Sequence, residues 1–243
     1  MRIYSFLRET EAELLKAFRA PEFILPTIFL PVAFYALFAL AISATRPYAT
    51  YMFATFGVFA VMGPSIFGFG VGVAGERDRG WLRIKRASPA PALSFIGAKL
   101  VVTLAVCILA LAPVYLIAAV YGDIALAPSQ WAMIFAVHML AVPAFVLVGL
   151  TLGFSLSANG AVAVSNIVFL TFSTLGGLWM PIFVFPDFLK TFAFALPSYH
   201  FGELALSAAG VDGERTPMVN LSSAAVMTAL FAIAATAAWF RQR

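Results

Sequence analysis

Charge is distributed along this chain in a way that leaves few folds open. Between residues 124 and 186 the sole readily ionisable side chain is His138, and residues 23–45, 47–75, 100–122 and 216–240 carry no charge at all. Each of these runs exceeds the roughly 20 residues that a helix needs to cross a hydrocarbon core of about 30 Å. Such a chain folds as a polytopic membrane protein. With 63% hydrophobic and 11% charged residues and a mean hydropathy of +0.97, it falls far outside soluble domains, in which about a quarter of residues are charged.

The formal charge of +4 does not point to nucleic acid, because the excess sits in short segments beside hydrophobic runs, where it sets orientation. The single Cys107 lies inside an apolar run and forms no intrachain disulfide. Glu9, Glu11, Glu13 and Glu22 precede the first apolar run, which is also too long for a cleaved signal, so that run is expected to stay as a span.

The expected fold is all-α: one transmembrane domain over 1–243 with six spans at 23–43, 49–74, 99–120, 131–155, 161–180 and 219–240. Ahead of them, within 1–22, Ile3, Phe6, Leu7, Thr10, Leu14, Ala17 and Phe18 recur at helical spacing, with Arg2, Glu9, Glu13 and Lys16 on the other face. This amphipathic helix suits the membrane interface or packing against the bundle, and the pattern alone allows both. Pro26, Pro31, Pro64, Pro113 and Pro143 fall inside the spans, which membrane helices tolerate.

Twelve of the 15 Lys and Arg residues fall on one side of such a bundle: Arg2, Arg8, Lys16, Arg19, Arg77, Arg79, Arg83, Lys85, Arg86, Lys99, Arg241 and Arg243. Only Arg46, Lys190 and Arg215 fall on the other. Because cytoplasmic loops collect positive charge, both termini and the 76–97 loop are expected in the cytoplasm. Asn159-Gly160 marks a tight turn between the fourth and fifth spans.

Segment 178–210 is too apolar for a loop yet is broken by Pro181, Pro186 and Pro197 and carries Asp187, Lys190, His200 and Glu203. Two short helices, 187–196 and 198–209, dipping into the outer leaflet as a re-entrant hairpin reconcile these features. His200 and Glu203 share a helical face, but a metal site needs further ligands, and His138 lies in another span; a hydrogen-bonded pair is the simpler reading. No phosphate-binding Gly-x-x-x-x-Gly-Lys-Ser/Thr run is present, so the chain does not bind ATP in that way. The spans also lack deep charges of the kind that serve as ion relays.

The spans do carry small and weakly polar residues. Gly68 and Gly72, and Gly149 and Gly153, have the spacing of close helix contacts. Asn166, Ser173 and Thr174 line one face of the fifth span, toward a partner helix or a polar path. In the 76–97 segment, Glu76, Arg79, Trp81, Leu82, Arg83 and Arg86 combine both signs of charge with apolar side chains ahead of Pro89 and Pro91. A positive-inside anchor does not need Trp81 or Leu82, whereas a protein contact does.

The order of these pieces resembles the ABC transporter type-2 permease family, bacterial drug and lipid exporters in particular. An N-terminal interfacial helix is followed by a charged first cytoplasmic segment ending in Ser88-Pro89, then by Lys99 opening the third span, and late in the chain by a Pro-broken hairpin running from Gly176-Gly177 through Pro181, Pro186 and Pro197 to His200 and Glu203. Trp81 departs from the small polar residue that many members have after the Gly. The resemblance implies a non-enzymatic permease subunit of an ATP-driven exporter for an amphipathic or lipid-like substrate. It further implies a separate ATPase subunit that binds the ATP, a coupling helix at 79–87, and a homodimer or heterodimer of permeases in the bacterial inner membrane with a path near the second and fifth spans. Two other readings stand beside it: an integral-membrane enzyme using His200 and Glu203, and a passive pore or scaffold.

Overall fold

A computed structural model describes residues 2–19, 21–38, 48–87 and 92–241. The described residues form helices α1 (Arg2–Phe18), α2 (Pro21–Ala36), α3 (Ala49–Asp78), α4 (Trp81–Ala87), α5 (Ala92–Tyr121), α6 (Pro128–Ser155), α7 (Ala158–Leu175), α8 (Asp187–Ala193), α9 (Pro197–Ala208) and α10 (Pro217–Phe240), with a 3-10 turn at Ile182–Val184.

Five of the described helices are long and apolar enough to cross a membrane: α3, the Ser94–Tyr121 part of α5, α6, α7 and α10. The expected count of six is therefore corrected. The difference lies at the first expected span, 23–43. There α2 has 16 residues, about 24 Å at 1.5 Å per residue, short of a core of about 30 Å. Its α-helical hydrogen bonding gives way to a wider π turn at residues 37–38, and residues 39–47 lie outside the described residues. α2 runs antiparallel against α3, with Phe34 beside Phe59 (centroids 6.4 Å) and Phe38 beside Phe56 (6.0 Å).

α3 is the axis of the molecule: of an 18-residue apolar stretch, 78% is buried in α3 but only 22% in α7 and 17% in α10. Its partner is α6, running parallel to it. A Cβ on Gly149 would stand 2.8 Å from the Ile66 carbonyl oxygen, and one on Gly153 would stand 2.7 Å from that of Phe69. Only glycine allows the two backbones to come so close. The other glycine pair packs differently. A Cβ on Gly68 would meet only Thr103 Oγ1 at 3.7 Å, and one on Gly72 only Lys99 Nζ at 3.9 Å.

His138 adds a polar bond to this apolar core. Its Nε2–H donates to the Ala54 carbonyl (2.9 Å) and its Nδ1 accepts from the Tyr115 hydroxyl (3.0 Å), joining α6 to α3 and α5. A neutral imidazole satisfies both bonds, which is how a fully buried histidine avoids an unpaired polar group.

Two ends follow from these packings. At one, called here the basic end, lie α1, the α3–α4 corner, the α6–α7 turn and the end of α10, where Trp239 packs on Phe154 (5.1 Å). At the other, α9 is wedged among α3, α6, α7 and α10, and residues 210–216 form the connection to α10. Connections are shorter than expected. Glu76 to Asp78 belong to the last turn of α3, and Asn159-Gly160 lies in the first turn of α7, whose N-cap is Ser157, the Oγ accepting from Gly160 N at 3.3 Å. Pro186 is the N-cap of α8 and Pro197 opens α9, so these prolines start helices, where their missing N–H costs nothing.

Candidate functional site

The basic end is organised by the three consecutive charged residues that finish α3. Glu76 is buried, and its Oε1 accepts from Lys99 Nζ at 3.0 Å and from the Lys16 ammonium. Lys99 also donates to Glu13 Oε2 at 2.8 Å. Glu13, Lys16, Glu76 and Lys99 thus tie α1 to α3 and α5 through a buried, charge-balanced cluster. Burial first, and then the neighbouring Lys99 ammonium, holds the pKa of Lys16 below the usual lysine range. Two sequence expectations change here. Glu13 turns into the bundle rather than out with the polar face of α1, and Glu76 sits inside the cluster rather than on a docking surface.

α1 packs against the bundle. Phe6 packs toward Gly97 of α5, where an added Cβ would be 3.3 Å from the ring, while Ile3, Leu7 and Phe18 remain exposed, as suits a helix at an interface.

Gly80, in the left-handed region at φ +78, turns the chain from α3 into α4. On α4, Leu82 is buried in the core at 4% exposure, whereas Trp81 (51%) and Ile84 (62%) are exposed and Arg79 and Arg83 are exposed beside them. The side chain of Arg86 lies outside the described residues. Leu82 therefore anchors α4 to the bundle and leaves Trp81, Arg83 and Ile84 outward. A groove of about 680 Å³ runs between α1 and this corner, lined by residues that include Tyr4, Arg8, Glu9, Glu76, Arg79 and Trp81.

On α7 the three expected path residues separate. Asn166 is exposed, its Nδ2 donating to the Val162 carbonyl at 2.8 Å, and Thr174 is part-exposed. Ser173 is buried with its hydroxyl on the Phe169 carbonyl at 2.6 Å. Asn166 and Ser173, seven residues apart, share a face of α7 to within about 20°, so their different burial comes from the neighbours met at different heights along the helix.

At the opposite end His200 and Glu203 are both buried, but each has its own partners. His200 lies between two oxygens, with Nδ1 2.9 Å from Asn220 Oδ1 and Nε2 3.0 Å from the Phe194 carbonyl oxygen. Glu203 Oε2 accepts the backbone N–H of Glu214 at 3.0 Å, and a Cβ on Gly213 would stand 2.0 Å from that oxygen. Burial pushes the Glu203 carboxyl up to about 7. The two residues clamp the 194–220 region onto α9, and among the described residues no group of three or more His, Cys, Asp and Glu side chains could hold a metal ion.

The family assignment agrees with this architecture. Residues 4–209 match the ABC-2 type transporter family. The chain belongs to that family. It is also 29% identical over 199 residues to the Putative transport permease YvfS of Bacillus subtilis (strain 168), covering 80% of this chain and 81% of that protein. As an ABC-2 permease the chain is a multi-pass, non-catalytic membrane subunit of an ABC transport system, which associates with an ABC ATPase and with membrane lipid. The matched region takes in α1, the α3–α4 corner and α9, and ends before α10.

Proposed function

We propose that the chain is the permease subunit of an ATP-driven exporter of an amphipathic or lipid-like substrate, with α4 as the seat of a separate ATPase chain. The observation that carries this reading is the split of α4. Leu82 is sunk into the bundle while Trp81 and Ile84, flanked by Arg79 and Arg83, stand outside it. An exposed aromatic among arginines is expensive to leave in water and typical of the centre of a protein interface. Arg86 belongs to the same docking segment, and Glu76 acts behind it through the buried cluster. ATP is bound and hydrolysed by the partner, and its movement at α4 shifts the packing of the permease helices.

The path itself is read along α7 of a permease dimer, homomeric or heteromeric. An exposed amide such as Asn166 is costly against lipid tails, and a facing subunit or a wet path removes that cost. Thr174 extends the same surface, and Ser173 supports it from within. By the positive-inside rule the basic end is cytoplasmic and holds both termini, since α2, antiparallel to α3, leads the chain away from that end in addition to the five spans, in the bacterial inner membrane, with α1 (within 1–22) at the inner interface and 178–210 as a hairpin in the outer leaflet. Pro181, Pro186, Pro197, His200 and Glu203 shape and pin that hairpin. The whole of 1–243 is read as one transmembrane domain.

The test is co-purification of the ATPase with tagged permease. Trp81→Ala removes an apolar anchor worth about 1–4 kcal/mol at an interface centre, roughly tenfold in affinity per 1.4 kcal/mol, while permease expression and melting stay unchanged. Undiminished co-purification removes α4 from the docking site.

A further inference from the structure

α7, which presents Asn166, is attached at its base to the coupling corner by two side chains of α3 that the docking surface leaves unused. Arg77 Nη1 donates to the carbonyl oxygens of Gly153 (3.1 Å) and Phe154 (2.7 Å), and its Nη2 donates to that of Leu156. Asp78 Oδ2 accepts the backbone N–H of Ala158 at 2.7 Å. A cation thus closes the last carbonyls of α6 and an anion meets the first amides of α7, the signs that helix ends favour. Arg77 and Asp78 are also paired to each other at 3.4 Å. One short α3 turn therefore caps both sides of the α6–α7 connection.

The packing makes that connection matter more for α7 than for α6. α6 is locked to α3 along its length by the glycine contacts, but only 22% of the apolar stretch of α7 is buried. α7 also rests on α3 at Phe169, whose ring meets Phe59 (5.0 Å) and Phe67 (5.4 Å), and the α6–α7 connection fixes its base relative to that contact. Asp78 is followed two residues later by Gly80 and then by α4, and the buried Leu82 makes α4 and the end of α3 one body. Asn166 lies eight residues above Ala158, about 12 Å along the helix.

We propose that Arg77 and Asp78 are positioning residues that steer the base of α7, so that displacement of the docking corner is delivered directly to the helix bearing Asn166. The inference rests on the reading of α4 as the ATPase seat. Charge-assisted hydrogen bonds suit the task because they are short and directional; those of Arg77 are part-buried, and that of Asp78 is exposed at the helix end. They tie α7 to α4 without requiring the α3–α6 core to deform.

The experiment uses the purified permease–ATPase complex in lipid nanodiscs, in a Cys107→Ala background. An environment-sensitive fluorophore is placed on a cysteine at Lys85, on α4, or at Asn159, in the first turn of α7, in labelled complexes that still co-purify with the ATPase. Both labels respond when ATP and vanadate trap the closed ATPase. In Asp78→Ala the Lys85 label still responds and the Asn159 response is lost, while melting of the complex is little changed. Asp78→Asn keeps an oxygen acceptor for the Ala158 amide and restores the response. Arg77→Gln, read in the same way, serves if Asp78→Ala does not fold. An undiminished Asn159 response in the variant, with α4 still responding, overturns the steering role alone. A silent Lys85 label in the complex with Arg77 and Asp78 intact refutes the docking reading and the inference with it.

Discussion

Replacement of Lys99 by Met probes the cluster formed by Glu13, Lys16, Glu76 and Lys99. The ammonium is 5% exposed and is bonded by Glu13 at 2.8 Å and Glu76 at 3.0 Å, which are themselves 8% and 5% exposed. The second oxygen of Glu76 has no hydrogen-bond partner. Without Lys99, the two buried carboxylates lose the buried cation they share, Lys16 beside them has a side chain that is 45% exposed, and the four-residue cluster changes from neutral to a net negative charge. Breaking a buried ion pair by removing one partner costs about 3–5 kcal/mol, because the remaining charge stays desolvated. For a chain of this size each kcal/mol moves the melting temperature by about 2–4 °C, so Lys99→Met lowers it by about 6–20 °C in a thermal-shift assay of the solubilised protein. The double variant Glu13→Gln/Lys99→Met leaves the Lys16–Glu76 pair and restores neutrality, and it recovers half of the loss or more. A single-variant shift below about 2 °C, or a double variant no better than the single one, refutes the assignment of a stabilising role to the cluster.

The two glycine pairs separate in the same assay. Gly153→Ala forces a Cβ to 2.7 Å from the Phe69 carbonyl and destabilises by about 1–3 kcal/mol, whereas Gly68→Ala, whose Cβ would have 3.7 Å to Thr103, is tolerated; equal effects would deny the α3–α6 close contact. Glu203 imposes a pH dependence: its carboxyl is raised from 4.5 to about 7 in the folded chain, so the folded state holds the proton more tightly. That contribution to stability is complete below about pH 4.5 and is lost as pH rises through about 7. Melting temperature therefore falls across this window, and Glu203→Gln flattens the slope; an unchanged slope in the variant assigns the titration elsewhere. For sidedness, a cysteine at Asp212 in a Cys107→Ala background reacts with an impermeant thiol reagent added to intact cells, and one at Ser88 does not; the reverse pattern inverts the orientation.

The membrane class, the helical architecture and the family were legible in the chain because charge-free runs and the order of motifs are properties of the sequence itself. Hydropathy also located the cores of α3, α5, α6, α7 and α10, although most of their ends lie one to seven residues away from the expected span boundaries and three coincide with them. It overcounted at the first run, because an apolar stretch states how much of a segment avoids water and not how regular its helix is; the α-helical part of α2 is described to Ala36, with a π turn at 37–38.

What only the tertiary structure decided is which face of each helix meets which neighbour. Glu13 and Glu9 have the same side-chain chemistry on one helix, yet Glu13 is drawn inward because Lys99 stands opposite it on α5, 86 residues away. Leu82 and Trp81 are adjacent and both apolar, yet one fills the core and the other stands outside, a difference set by the turn at Gly80. Gly149 and Gly153 of α6 meet the α3 backbone, while Gly68 and Gly72 of α3, with the same spacing, face only side chains of α5. Periodicity places residues on a common face, but the partner of that face is chosen by packing between segments far apart in the chain, and that is where the charge cluster, the capping of α6 and α7, and the outward face of α4 arise.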